Sequence, residues 1–131
     1  MIKYLSVTVI LSMFLLLGCV SSNPATWKTL PQMQKGQYDE VWSALVSCIT
    51  SRNFNLEMSD AGSGYLRTAY GGTGHNTKTR VIARVVSKNP LQISIKAEVL
   101  KLNMIGGGWV EVGNNTALEN LITEELSARF K

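Results

Sequence analysis

From Leu91 to Leu102 the chain alternates apolar and polar residues more regularly than anywhere else. Leu91, Ile93, Ile95, Ala97 and Val99 fall on one side, and Gln92, Ser94, Lys96 and Glu98 on the other. A period of two is that of a β-strand, whose successive side chains leave opposite faces. A strand with one apolar and one polar side belongs in a sheet with one covered and one wet face. Lys88-Asn89-Pro90 before it and Gly106-Gly107-Gly108 after it are turn signals, so its neighbours are expected to return as antiparallel strands.

Four more strand-like segments share this character. Phe54, Leu56 and Met58 alternate with Asn55 and Glu57, and Asp60-Ala61-Gly62-Ser63-Gly64 is a turn. Tyr65 to Tyr70 and Thr79 to Ser87 follow, separated by a polar, glycine-rich loop from Gly71 to Lys78. Trp109 to Val112 closes the set. Helical spacing brackets the strands. Tyr38, Val41, Trp42, Leu45, Val46 and Ile49 recur at i, i+3, i+4 and i+7 within Tyr38 to Arg52. Asp39 and Glu40 lie in its first turn, where the helix dipole favours anions, and Asn53 is a natural left-handed stop. A second helix carries Leu118, Leu121, Ile122, Leu126 and Phe130, with Thr116-Ala117-Leu118-Glu119 reading as a capping box. The expected fold is a single α+β domain of order α-β-β-β-β-β-α, an antiparallel sheet with both helices on one face. Trp42, Phe54, Tyr70, Leu118 and Phe130 are expected to fill the space between.

The 131 residues carry a net charge of +4, too mild to support a nucleic-acid partner. There are two cysteines, Cys19 and Cys48. Cys48 lies within the helical pattern, and free cysteine is among the residue types most often buried.

The N-terminus has a secretory pattern. Lys3 is its one charge, and Tyr4 to Leu17 is mostly apolar. That run is shorter than the ~20 residues a membrane span needs and suits the hydrophobic region of a removable signal. It ends in Leu16-Leu17-Gly18-Cys19. With a leucine at −3 and a small residue at −1 before a cysteine, this segment resembles the lipobox of bacterial lipoproteins. The resemblance implies lipid attachment at Cys19 and removal of residues 1–18. Val20, in place of an aspartate retention signal, implies delivery to the outer membrane with the domain facing the periplasm. Residues 19–37, with Ser21, Ser22, Asn23, Pro24, Pro31 and Gly36, read as a flexible tether, and 38–131 as the folded domain.

Within the domain, Asp39-Glu40-Val41-Trp42 with Leu45, Asn53-Phe54-Asn55-Leu56, Asp60, Gly64-Tyr65-Leu66-Arg67-Thr68 and Arg80 form a further pattern. It resembles the C-terminal helix-grip domain of NlpB/BamC-type outer-membrane assembly lipoproteins. That resemblance implies a non-enzymatic accessory subunit of an envelope machine.

Reactive chemistry finds little footing. His75 is the one histidine and sits in a glycine-rich loop, without a second histidine or a paired cysteine to complete a metal site. No G-x-S-x-G motif occurs, and no cofactor is implied. Two surfaces stand out instead. The wet sheet face is expected to carry Glu57, Arg67, Arg80, Arg84, Lys96, Glu98 and Glu111. Arg67, Arg80, Arg84 and Lys96 would offer a basic patch to phosphates or an acidic partner, or else pair with the interleaved carboxylates. The second is Met104-Ile105-Gly106-Gly107-Gly108-Trp109, a hairpin tip that is apolar where turns are usually polar. Met104, Ile105 and Trp109 are candidate contacts with a membrane or a partner.

The expected function is that of a membrane-anchored accessory or scaffolding subunit that docks an envelope protein. A second reading stays open: a module that binds a lipid, glycan or small amphiphile between helices and sheet. That reading requires a cavity of several hundred Å³, on the usual ligand-pocket scale.

Overall fold

The computed structural model describes residues 22–72 and 74–131. Cys19 and the signal-like stretch lie outside the described residues. In chain order the elements are β1 (Lys28–Thr29), α1 (Tyr38–Thr50), β2 (Leu56–Asp60), β3 (Tyr65–Thr68), β4 (Gly71–Gly72), β5 (Thr77–Lys88), β6 (Leu91–Asn103), β7 (Gly108–Asn114) and α2 (Thr116–Phe130).

All seven strands join one antiparallel sheet. Its backbone is a meander, β2-β3-β5-β6-β7, each strand hydrogen-bonded to the next. Short connections make this the natural outcome, because an antiparallel return needs only a turn. The small strands fill in the edges. β4 extends the column of β3 along β5, and β1 lies beside β6. Register follows the alternation. Val81 pairs with Ala97, Ala83 with Ile95 and Val85 with Ile93 on the covered face. Arg80 opposite Glu98, and Ile82 opposite Lys96, fall on the other.

Both helices lie over the covered face. Val41, Trp42, Leu45, Cys48 and Ile49 of α1 join Ile122, Leu126 and Phe130 of α2 in one core cluster with Leu66, Val81, Ala83, Ile93 and Ile95. Each fully buried Leu or Ile side chain contributes ~1.5–3 kcal/mol by leaving water. Helix α1 ends at Thr50, with Asn53 at φ 65° turning the chain in the left-handed region.

Several local expectations need correction. Residues 22–37 do not dangle as a tether. Leu30 and Met33 are buried in the core, and β1 pairs with β6. The N-cap of α2 is Asn115, whose side chain accepts the Leu118 N–H, so Thr116 is the first helical residue rather than the cap. Glu119 is therefore free to turn inward. Tyr70 lies on the wet face, under Lys78 and Arg80, and not in the core. A break after Thr68 shifts the chain from β3 to β4 and explains the changed side. Leu121 is exposed on α2, because the stripe facing the sheet runs through Ile122, Leu126 and Phe130.

Candidate functional site

The wet face of the sheet gathers the four cations singled out in the sequence. Arg67, Arg80, Arg84 and Lys96 stand on the adjacent strands β3, β5 and β6. Their registers place them around Ile82, which is buried although it faces outward. Long side chains lying flat over an apolar residue account for that burial.

Glu98 organises one half of this face. Its two oxygens accept Arg80 Nε at 2.7 Å and Lys96 Nζ at 3.1 Å. Burial alone would raise the Glu98 carboxyl. The Arg80 and Lys96 hydrogen bonds and charges outweigh it, holding the group below the usual carboxylate value. Arg67 is paired more loosely with Glu57, at 3.5 Å across β2 and β3. Three of the four cations thus have carboxylate partners. Arg84 has none among the described residues, and its guanidinium carbon sits 4.1 Å from the centre of the Trp27 ring.

Aromatic rings continue the pattern. Lys96 Nζ lies 4.8 Å from the Trp27 ring. Arg80 stacks on Tyr70 at 4.7 Å, and Lys78 bridges Tyr70 at 4.9 Å to Trp109 at 4.3 Å. Such contacts contribute about 0.5–1 kcal/mol each where solvent reaches them. The result is two cation–ring groups, Arg84–Trp27–Lys96 at the chain's entry and Arg80–Tyr70–Lys78–Trp109 towards the β6–β7 turn, joined where Glu98 holds Lys96 and Arg80 together. Trp109 is the link between the two surfaces expected separately. Met104 and Ile105 project from the turn and do not join the cation cluster.

Trp27 is held in place by a strap that sequence periodicity did not reveal. Asn23 donates its N–H to Glu111 O at 2.8 Å, and Ala25 N–H donates to Glu111 Oε1 at 2.8 Å. The Asn114 side chain closes a pair with Thr26, accepting its N–H at 2.9 Å and donating to its carbonyl at 2.7 Å. Beyond Asn114, β7 leaves the sheet, and the strap steps into the vacated edge of β6 as β1. Lys96 and Ala97 fall between the two registers, and of these Ala97 turns its backbone groups to this edge. Its N–H donates to Glu119 Oε2 at 2.9 Å, and its carbonyl accepts Asn115 N–H at 2.9 Å. Glu119 Oε2 also accepts the Asn114 side chain at 2.7 Å. A buried carboxylate therefore stands in for a missing strand residue, consistent with the rule that buried backbone groups find partners. The clue in the sequence was the run Asn114-Asn115 followed by Glu119 at the end of a strand.

The other candidates resolve into structural roles. His75 is exposed at the β4–β5 turn. No cluster of three or more His, Cys, Asp or Glu side chains that could hold a metal occurs among the described residues. The space between helices and sheet is filled by Trp42, Leu45, Ile49, Ile95, Ile122 and Leu126. A cleft of about 430 Å³ does exist, but it is open and lies on the solvent side of α1, against Asp39, Glu40, Ser43, Ala44, Ser47 and Arg129. Cys48 donates to Glu125 Oε2 at 2.7 Å beneath Arg52. Burial, reinforced by the Glu125 hydrogen bond, pushes its thiol up to about 12. Thiolate is the reactive form. Cys48 is expected to resist iodoacetamide at neutral pH in the folded protein and to be alkylated after denaturation, as read from the mass of its peptide.

No protein-family model matches the chain, and no curated protein matches it. The functional reading rests on the chain's own residues.

Proposed function

We propose that this protein is a lipid-anchored envelope lipoprotein, attached through Cys19 to the outer membrane and facing the periplasm. Its role is that of a non-enzymatic accessory subunit that docks a protein partner on the wet face of its sheet. The Leu16-Leu17-Gly18-Cys19 run supports the anchor. The partner reading is carried by one observation: Trp27 and Tyr70 share a sheet face with cations stacked on their rings. Aromatic and arginine side chains are the residues in which binding energy concentrates at interfaces. Pre-stacked rings also lose little freedom on docking. Arg84, exposed and with no carboxylate partner among the described residues, gives the face a charge for an acidic residue of the partner to meet.

The test is a photo-crosslinking residue placed at position 84 of the full chain in native membranes, compared with one at Leu121 on the helical side. A single dominant crosslinked envelope protein at position 84, absent at 121 and lost on Arg67→Glu, supports the reading. Equal labelling at both positions, or none at either, overturns it.

A further inference from the structure

The β6–β7 turn is built as a rigid post with an apolar cap. Gly107 N–H donates to Asn103 O at 2.9 Å, and Asn103 Oδ1 accepts Ile105 N–H at 3.1 Å. Gly107, at φ 70°, takes the left-handed conformation that closes the turn. The N–H groups of Ile105, Gly106 and Gly107 thus all bond back to Asn103, and the apolar side chains are left outside. Met104 is 76% exposed, Ile105 69% and Trp109 42%. Among the described residues, the other large exposed apolar side chains lie elsewhere. Leu56 and Met58 are on β2 at the opposite edge of the sheet, Val86 is near the far end of β5, and Leu121 is on α2.

The strap locates the point where the chain leaves the domain. Asn23 lies beside Val112 in a parallel bridge. Trp109 is three residues further back along β7, a span of ~10 Å at strand rise. Cys19 stands four residues before Asn23, so full extension places it at most ~14 Å from that point. A domain of this size has a radius of gyration of ~13 Å, hence a width of roughly 35 Å. A lipid on Cys19 therefore cannot reach the far side of the domain. It must enter the membrane at the edge where β7 and its turn lie.

From this we infer that the Met104–Ile105–Trp109 tip seats in the headgroup region of the membrane that carries the Cys19 lipid. The inference rests on the lipoprotein reading of Cys19. The chemistry of the tip suits a lipid surface. Tryptophan, apolar on its body and polar at its N–H, concentrates at membrane–water interfaces. Lys78 lies over the Trp109 ring at 4.3 Å, and Lys101 is exposed on the strand leading to the turn. Both are placed to meet anionic headgroups while the apolar side chains enter below them. The protein would then be held at two points, by its acyl chains and by this tip. A second point restricts its tilt, and narrows the range of aspects that the wet sheet face would present to a partner.

The experiment uses the full lipidated protein in vesicles of phosphatidylcholine and phosphatidylglycerol, with and without phosphatidylcholine brominated high on the acyl chain. Bromine quenches tryptophan at contact range. The expected result is quenching of the wild type that is lost in Trp109→Phe and in Ile105→Asp, because Trp42 lies in the core and Trp27 lies against Arg84 and Lys96. The mass of the Cys19 peptide and flotation with the vesicles are read on the same samples. A lipidated, floating protein whose quenching is absent, or unchanged in Trp109→Phe, overturns the inference alone and assigns the tip to a protein contact. An unmodified Cys19 peptide overturns the anchor reading and the inference with it.

Discussion

Replacing Leu30 with alanine is expected to destabilise the fold by about 3 kcal/mol, a large share of the roughly 5–15 kcal/mol that holds a domain together. Leu30 is 1% exposed and packs in the same cluster as the helix residues, although it lies in a stretch whose composition is that of a linker. Its N–H donates to Ile93 O at 2.8 Å, so the surrounding backbone is pinned and has little freedom to collapse into the space left behind. Gln32, two residues away and exposed, serves as the control. Its replacement by alanine should change stability by less than ~0.5 kcal/mol. Urea denaturation of the full chain, followed by far-UV circular dichroism, reads both. Equal midpoints for Leu30→Ala and wild type would mean that the strap is not part of the folded unit. The short reach assigned to the Cys19 anchor would then be lost as well.

Glu119→Ala is the second large effect. The carboxylate is buried and accepts both the Ala97 N–H and the Asn114 amide. Removing it leaves a backbone donor in the interior with no replacement, at a cost of ~2–4 kcal/mol. Glu119→Gln keeps an oxygen that can accept the Ala97 N–H, and should cost less than half as much. The consequence is also local. Asn114 holds Thr26 through two hydrogen bonds, so loosening Asn114 should loosen the strap. Hydrogen exchange is expected to speed up at Ala97 and Thr26 in Glu119→Ala more than at Val81 in the middle of the sheet. Uniform acceleration would indicate a global loss of stability instead, and would remove Glu119 from its role as a bridge between strap and sheet.

These two residues show where the reading from sequence stops. Trp27, Leu30 and Met33 stand three residues apart among Ser, Asn, Pro, Thr, Lys and Gln, a spacing that generates no strand period and is too short to define a helix. β1 is two residues long, and its partners lie more than sixty residues away in sequence, so nothing local marks it as a strand. Glu119 was legible only as a capping residue, because the alternative acceptor role depends on Ala97 being left between two strands. Tyr70 was assigned to the core by continuing the alternation of β3, and the break before β4 put it on the other face. By contrast, β6 and both helices were legible almost to their ends. Their apolar positions repeat often enough to define a face.

The wet face was partly legible in the same way. Alternation alone places Arg80, Arg84 and Lys96 on one side, and the register confirms the side for each. Which of them is neutralised was a matter of tertiary distance. Glu98 takes Arg80 and Lys96, Glu57 takes Arg67, and Arg84 remains against a ring. Trp27 entered the face only because the strap carries it there.

By itself the sequence determined the α+β class, the order of the main strands, the covering of one sheet face by two helices, and the exposure of an apolar hairpin tip. All of these follow from periodicity and turn chemistry, which act over a few residues. The tertiary structure alone decided that residues 23–33 close the sheet, that a glutamate bridges the gap at Ala97, and that cations and rings interleave across the wet face. It also brought the entry of the chain to the edge where the tip projects. These depend on contacts between residues far apart in sequence, whose pairing is set by the summed packing of the domain and leaves no local signature.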